Sequence, residues 1–424
     1  MEKVLFFRGE TSLKRKISLD EIIEELEKRR EYMHKLKSDD LIEYFDSLSQ
    51  FWKKQKFDKK YNLKNISDYL LKKNLEESLS VSLHGNYKAL DDFYELGSSF
   101  LLFHAQPRGI VVQWLSGNVS ILGLFSIFSA LITKNVCLVK ASSKGYETLI
   151  TLLRTLGSIK TNKVDGKELI KCIAVVLIDR DDKKNQEKLS MAADVRIAWG
   201  GKEAIDSIIN LKKKFYCEDI ILGPKYSYGV IGKSSLKKNI KDITRRLAVD
   251  ISVFDQYACS SPHTIFVEGS LKDAEIFGKE LGLQLDFVNR AILPKGEIDE
   301  GKAMEIVSKR TEYELKGKVF ASKGTDWTVI MTDEGGLASS CFSRVVFVKP
   351  ISNILKLKEY SDRGKQTLGI ELNLSERKEV LDEITLKGID RAPNFGYMTF
   401  FEYCWDGMFV FDRLVRWVTT YQNE

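Results

Sequence analysis

Between residues 109 and 199, short β-branched runs alternate with helix-patterned segments, and this alternation constrains the chain more than any other feature. The runs occupy 110–115, 136–139, 173–178 and 195–199. Strands separated by helices cannot pair as tight hairpins; they return by right-handed crossovers into a parallel sheet with helices on both faces. The expected product is a doubly wound, nucleotide-binding sheet.

A second α/β block begins near Gly223, with helical segments over 236–247 and 271–283 and strands over 263–267 and 345–348. The first 85 or so residues read differently. They are charged and helix-patterned, and Ser18-Leu-Asp-Glu21 has the form of a capping box ahead of Ile22, Ile23 and Leu26. From Arg391 the chain is rich in aromatics, Phe395, Tyr397, Phe400, Phe401, Tyr403, Trp405 and Phe409, a composition that packs against a neighbouring domain or subunit. The expected organisation is a helical region over 1–85, a nucleotide-binding domain over 86–222, a catalytic domain over 223–390 and a packing or oligomerisation tail over 391–424. A length of 424 residues accommodates such a division.

The 66 basic and 60 acidic residues leave a formal charge of +6, a poor footprint for nucleic acid. Basic runs at 53–60 and 212–214 are not interleaved with stacking aromatics in an RNA-binding pattern. The uncharged stretch over 109–133, 25 residues, has the length to cross a bilayer. Gln113, Ser116, Gly117 and Asn118 interrupt it, however, leaving a strand-like piece and a helical piece over 119–132, which reads as a buried core helix. No transmembrane segment is expected, and the N-terminus carries no signal pattern. The cysteines at 137, 172, 217, 259, 341 and 404 show neither CxxC pairs nor short His/Cys spacings, so no metal site or disulfide framework is expected and a reducing cytoplasm fits.

One cysteine stands apart. In Phe254-Asp-Gln-Tyr-Ala-Cys-Ser-Ser-Pro-His263, Cys259 lies between a helical segment and a strand, among small residues that let a substrate approach. A thiolate is the strongest side-chain nucleophile near neutral pH and attacks thioester or aldehyde carbonyls. An isolated cysteine is otherwise a buried, inert core residue. His263, four residues on, either tunes that thiol or simply begins the next strand. His34, His84 and His104 have no sequence partner and receive no role. Gly200-Gly201, between strand and helix, has the form of a short phosphate loop, although most Gly-Gly pairs only make turns.

Leu115-Ser-Gly-Asn-Val119, Val139-Lys-Ala-Ser-Ser143, Ala198-Trp-Gly-Gly-Lys202, Gln256-Tyr-Ala-Cys-Ser-Ser-Pro262, Trp405-Asp-Gly407 and Leu414-Val-Arg-Trp417 follow one another in this order. Together they resemble the acyl-CoA reductase family, which includes the fatty acid reductase component of bacterial luminescence and is a branch of the aldehyde dehydrogenase superfamily. The resemblance runs from about residue 80 onward. It implies an aldehyde-dehydrogenase-like α/β fold with a Rossmann-type domain, and NADPH-dependent reduction of an acyl thioester to an aldehyde through an acyl-enzyme on Cys259. The acyl group is expected to be fatty, carried on CoA or on a protein, with an acyl-protein synthetase as a partner and self-association into a homo-oligomer.

By the same resemblance Asn118 donates to the developing oxyanion, where one such donor contributes about 3–4 kcal/mol; by spacing alone it equally caps the helix that follows. Asn118 and Cys259 are expected to face each other in a cleft between the two domains. Lys140 is placed on the adenosine ribose and Gly200-Gly201 on the pyrophosphate. Ser143 falls where many NAD-preferring members carry a glutamate; without that carboxylate, and with Lys144 beside it, a 2′-phosphate is tolerated. Ile221 stands where hydrolytic members carry the glutamate that activates water, and isoleucine accepts no proton. No counterpart of the nicotinamide-ribose glutamate is visible over 345–350. Two alternatives remain open at the level of sequence: an NAD(P)-dependent aldehyde dehydrogenase that makes acid, which Ile221 disfavours, and a non-catalytic subunit carrying an acyl chain.

Overall fold

The computed structural model describes residues 3–12, 15–97, 100–117, 123–339 and 341–422. It divides into two compact units, one made of residues 1–223 with 401–424 and the other of 224–400.

In the first unit, five parallel strands stand in the order Ile173–Leu177, Val136–Lys140, Ile110–Trp114, Val195–Trp199, Glu218–Leu222. Numbered along the chain this order is 3-2-1-4-5, so the connections reverse direction between Ile110–Trp114 and Val195–Trp199. A crevice opens at such a switch point, outside the carboxyl ends of the two strands. Lys3–Phe6 adds to the far edge as an antiparallel strand, an element that the charged, helix-patterned start of the chain does not announce.

The N-terminal helices Leu19–Lys35 and Ser38–Lys54 pack on this unit. Tyr44 donates to the carbonyl of Leu156 at 2.6 Å, and the Trp52 indole donates to Thr155 Oγ1 at 2.8 Å, both on the helix Tyr146–Leu156. Ser18 caps the first helix by accepting from the Glu21 N–H, but the Glu21 carboxylate pairs with Arg15 instead of completing the capping box. A charge partner outcompeted a neutral backbone donor.

The uncharged stretch becomes strand and core. Every residue of the helix Gly123–Ile132 is buried, and the polar residues around it find internal partners: Ser126 donates to Gln113 Oε1 at 2.6 Å, and Asn135 Oδ1 accepts from the Gly109 N–H at 2.8 Å. Residues 119–122 lie outside the described residues. Among the described residues no helix is long and apolar enough to cross a membrane.

The C-terminal strand Val415–Tyr421 pairs antiparallel with Leu101–Pro107, which also pairs with Tyr94–Glu95. Just before it, Asp406 and Gly407 take φ of +49° and +75° between the short strands Cys404–Trp405 and Met408–Phe409. Positive φ at both central residues suits an Asp-Gly hairpin turn, and it accounts for the Trp405-Asp-Gly407 motif locally.

The second unit is another mostly parallel sheet, ordered Lys318–Ala321, Thr328–Met331, Val345–Ile351, Pro262–Glu268, Tyr226–Ile231, Lys365–Glu371; only the first pair is antiparallel. The helices Ile240–Ser252 and Leu271–Ala291 cover one face through Ile243, Leu247, Ile251, Phe277, Leu281 and Leu285.

Candidate functional site

Two local constructions are candidates for the site, one in each unit. In the first, a groove of about 970 Å³ opens where the strand order reverses. Trp114, Leu115, Ser116 and Gly117 line it from the end of one strand, and Trp199, Gly200 and Gly201 from the end of the other. Lys140 lines it from the neighbouring strand. The floor is braced by the Trp114 indole on Gln186 Oε1 at 2.8 Å and the Trp199 indole on Ser126 Oγ at 3.2 Å.

Gly117 is needed for closeness, since a Cβ there would come within 2.6 Å of Ser142 Oγ. Gly201 is the N-cap of the helix Lys202–Ile209 and has no side chain to satisfy the first-turn N–H groups. Those groups are therefore left for a ligand, and the helix end favours an anionic one. Burial lowers the Lys140 ammonium below its usual pKa, with Asp179 opposing the shift. Arg180, Lys183 and Lys202 add three more cations to the lining, beside the carboxylates of Glu187 and Glu203. A switch-point crevice with glycine turns, an open helix N-terminus and cations fits the two phosphates and ribose of a dinucleotide.

The structure thus brings together Lys140, Gly200 and Gly201. Ser143 and Lys144 are exposed on the loop that follows Lys140, outside the groove lining. Asn118 lies outside the described residues, and so does the expected meeting of Asn118 with Cys259. Ile221 is half-buried in the last strand, paired with Ala198. Arg180 and Lys183 were missed by sequence reasoning, although their position just after the strand Ile173–Leu177 is the signal that would have found them.

In the second unit Cys259 precedes the strand Pro262–Glu268, at the amino ends of the parallel strands. The turn is closed by Gln256 Nε2 donating to the Pro262 carbonyl at 2.7 Å and the Ser261 N–H donating to the Ala258 carbonyl at 3.0 Å. Ser227 Oγ donates to the Cys259 carbonyl at 2.6 Å, tying the loop to the neighbouring strand. Ala258, Ser260 and Ser261 are buried while Cys259 is half-buried, so the small residues make the bend and the thiol stays accessible.

Access separates the cysteines. Burial pushes the thiols of Cys172, Cys217 and Cys341 up to about 12, 11 and 11, and that of Cys137 well above its ordinary value. Only Cys259 and Cys404 are half-buried, and Cys404 sits in the small hairpin remote in sequence from any strand end of the second sheet. His263 is buried in the strand, its ring centroid 5.2 Å from that of Tyr226 and 5.3 Å from that of Phe342. Burial lowers its pKa to about 4, so it is neutral at physiological pH and supplies no cation beside the thiol. Over 345–350 the ionisable side chain is Lys349, buried and donating to the carbonyls of Glu334 and Gly336 at 3.0 Å.

The approach to Cys259 is strained. Phe254, Asp255 and Gln256 take φ of +52°, +48° and +70°, and Phe342, Ser343 and Arg344 take +53°, +53° and +61°. A left-handed conformation costs a non-glycine residue about 1–2 kcal/mol, so each triplet must be held by its surroundings.

Residues 15–417 match the family described as acyl-CoA reductase (LuxC). The chain is 28% identical over 412 residues to a long-chain acyl-protein thioester reductase of Aliivibrio fischeri, covering 93% of this chain and 78% of that one. It is 25% identical over 413 residues to a protein of the same name from Vibrio harveyi, covering 92% and 84%. Among solved structures, a 3,6-anhydro-L-galactose dehydrogenase in complex with NAP superposes with a TM-score of 0.63 at 13% identity, covering 100% of this chain and 96% of that one. Lactaldehyde dehydrogenase from Escherichia coli gives a TM-score of 0.64 at 12% identity, again covering 100% and 96%. The fold is that of the aldehyde dehydrogenases.

Proposed function

The chain belongs to the acyl-CoA reductase (LuxC) family, whose chemistry is reduction of an acyl thioester to an aldehyde, and on that premise we propose that it reduces a fatty acyl thioester with NADPH through an acyl-enzyme on Cys259. The observation that carries the assignment is the contrast among thiols: Cys259 is accessible on a tight turn at a strand end, while four others are buried with raised pKa.

In this reading the Cys259 thiolate attacks the donor thioester carbonyl. Asn118 and the Cys259 N–H receive the oxyanion, the donor thiol leaves with a proton, and the acyl group remains on sulfur. A reduced nicotinamide cofactor, held by Lys140, Gly200 and Gly201, would supply the hydride that the acyl carbon needs. The C–S bond then breaks, the aldehyde departs and Cys259 returns to thiolate. Ile221 puts no proton acceptor at its own position in the strand Glu218–Leu222, which on this reading spares the acyl-enzyme from water. Lys140, Gly200 and Gly201 hold the cofactor's ribose and pyrophosphate, and Ser143 beside Lys144 leaves room for a 2′-phosphate.

The relatives' names support a long-chain acyl group and a protein-borne donor; an acyl-protein synthetase as the partner that delivers it rests on the family resemblance. The stripe Ile276, Leu283 and Phe287, exposed on the helix Leu271–Ala291, supports a homo-oligomer. Six cysteines without a disulfide support a cytoplasmic location. Incubation with acyl-CoAs of graded length should consume NADPH and release aldehyde in equal amounts. Release of free acid from an aldehyde without a thiol acceptor would overturn the reading.

A further inference from the structure

We propose that Arg344 is a positioning residue for the nucleophile, clamping two left-handed turns together so that the loop ahead of Cys259 holds the conformation that presents its thiol. The inference rests on the assignment of Cys259 as nucleophile.

The two turns, 254–256 and 342–344, contain no glycine, and left-handed residues of other types ordinarily occur singly. Their own sequences therefore do not hold them. Arg344 belongs to one turn and reaches the other: its Nε donates to Asp255 Oδ1 at 2.6 Å. Its remaining donors fix the flanks, Nη1 on Asn289 Oδ1 at 3.1 Å and on the Leu293 carbonyl at 2.9 Å, Nη2 on the Ser252 carbonyl at 3.3 Å. The side chain is 2% exposed. Asp255 completes the arrangement by accepting from the Gly296 N–H on Oδ2 at 3.0 Å. Lys295 Nζ donates to the Ser343 carbonyl at 3.1 Å and to the Thr325 carbonyl at 2.5 Å.

The clamp is continuous with the nucleophile. Tyr257 follows the first turn and lies two residues before Cys259; its ring stacks on Phe342 of the second turn, centroids 5.2 Å apart and planes 6° from parallel. Its hydroxyl lies 3.3 Å from Ser343 Oγ. Cys259 is thus held from one side by Ser227 on its carbonyl and from the other by the paired turns. A planar fork of donors spanning a carboxylate, an amide oxygen and two carbonyls is a task for guanidinium; an ammonium keeps the charge and loses the geometry.

The test uses the full chain with Arg344→Lys and Asp255→Asn, each assayed well below its own thermal midpoint. The expected result is a kcat for acyl-CoA reduction lowered about tenfold or more, with KM changed less than about twofold, because misplacement of a reacting group slows the chemical step. Alkylation of Cys259 by iodoacetamide should slow in parallel. If Arg344→Lys does not fold, Asp255→Asn, isosteric and at a side chain 23% exposed, carries the test. A lowered midpoint with unchanged kcat and alkylation rate would overturn the proposal, leaving Arg344 a purely structural residue. That outcome is distinct from failure of the nucleophile assignment, in which the unmodified protein itself takes no acyl label on Cys259.

Discussion

The two parallel sheets place their chemistry at opposite ends of their own strands and assemble it by different means. In the first unit the groove lies at the carboxyl ends, and each element of its lining follows its strand directly: Trp114 to Gly117 after one, Lys140 at the end of another, Gly200 and Gly201 after a third. Backbone amides, glycines and a helix end do most of the work. In the second unit Cys259 lies at the amino ends, and its loop is held by side chains far away in sequence. Ser227 is 32 residues from Cys259, and Arg344 is 89 residues from Asp255. A site made of backbone tolerates side-chain change around it, whereas a site held by side chains fails when one of them is altered.

The largest expected effect sharpens this contrast. Cys259→Ser should lower the rate of acyl reduction on the order of 10³-fold or more while cofactor affinity stays unchanged, because an unactivated hydroxyl is a poor nucleophile and the groove is built without this loop. Steady-state assays beside calorimetric cofactor titration would read both. Equal loss of affinity and rate would break the separation.

A smaller effect is expected at the groove. Ser143→Glu should shift preference from NADPH toward NADH, whereas Arg180→Ala should weaken NADPH and NADH alike by about tenfold, since a charge-assisted contact to the shared pyrophosphate is lost. Arg180 is exposed at the groove lining, so stability should not move. Tighter NADH than NADPH binding to the unmodified protein would contradict the 2′-phosphate reading.

The smallest effect concerns stability at the catalytic loop's strand. His263 has its pKa lowered to about 4 by burial, so the unfolded chain takes up a proton near pH 6.5 before the folded chain does. The folded state therefore keeps its full advantage above pH 6.5 and loses it as pH falls toward 4, at up to about 1.4 kcal/mol per pH unit. Relative to His263→Gln, the unmodified protein should lose about 1–2 kcal/mol of unfolding free energy between pH 7 and 5. Denaturant titrations that give the unmodified protein and His263→Gln the same loss between the two pH values would show that His263 takes its proton in the folded state.

These differences explain what could be read from the sequence. The strand 195–199 appears in the structure with the expected bounds, and a helix follows Gly200-Gly201 as expected, because β-branched runs and helical periodicity are local signals. Lys140, Gly200 and Gly201, which the family resemblance singled out, line the groove. The strand Lys3–Phe6 was not, because its pairing with Ile173–Leu177 is non-local and four residues carry too little pattern. The Arg344–Asp255 clamp was likewise invisible: no spacing in the chain announces that two glycine-free turns will both be left-handed and pinned by one guanidinium.

The central claim is most directly tested by intact-protein and peptide mass spectrometry after incubation with a long-chain acyl-CoA in the absence of NADPH. The account predicts one acyl adduct, mapped to Cys259, that persists because Ile221 offers no base to activate water and that discharges as aldehyde when NADPH is added. An adduct on another cysteine, or one that hydrolyses rapidly to free acid, would contradict it.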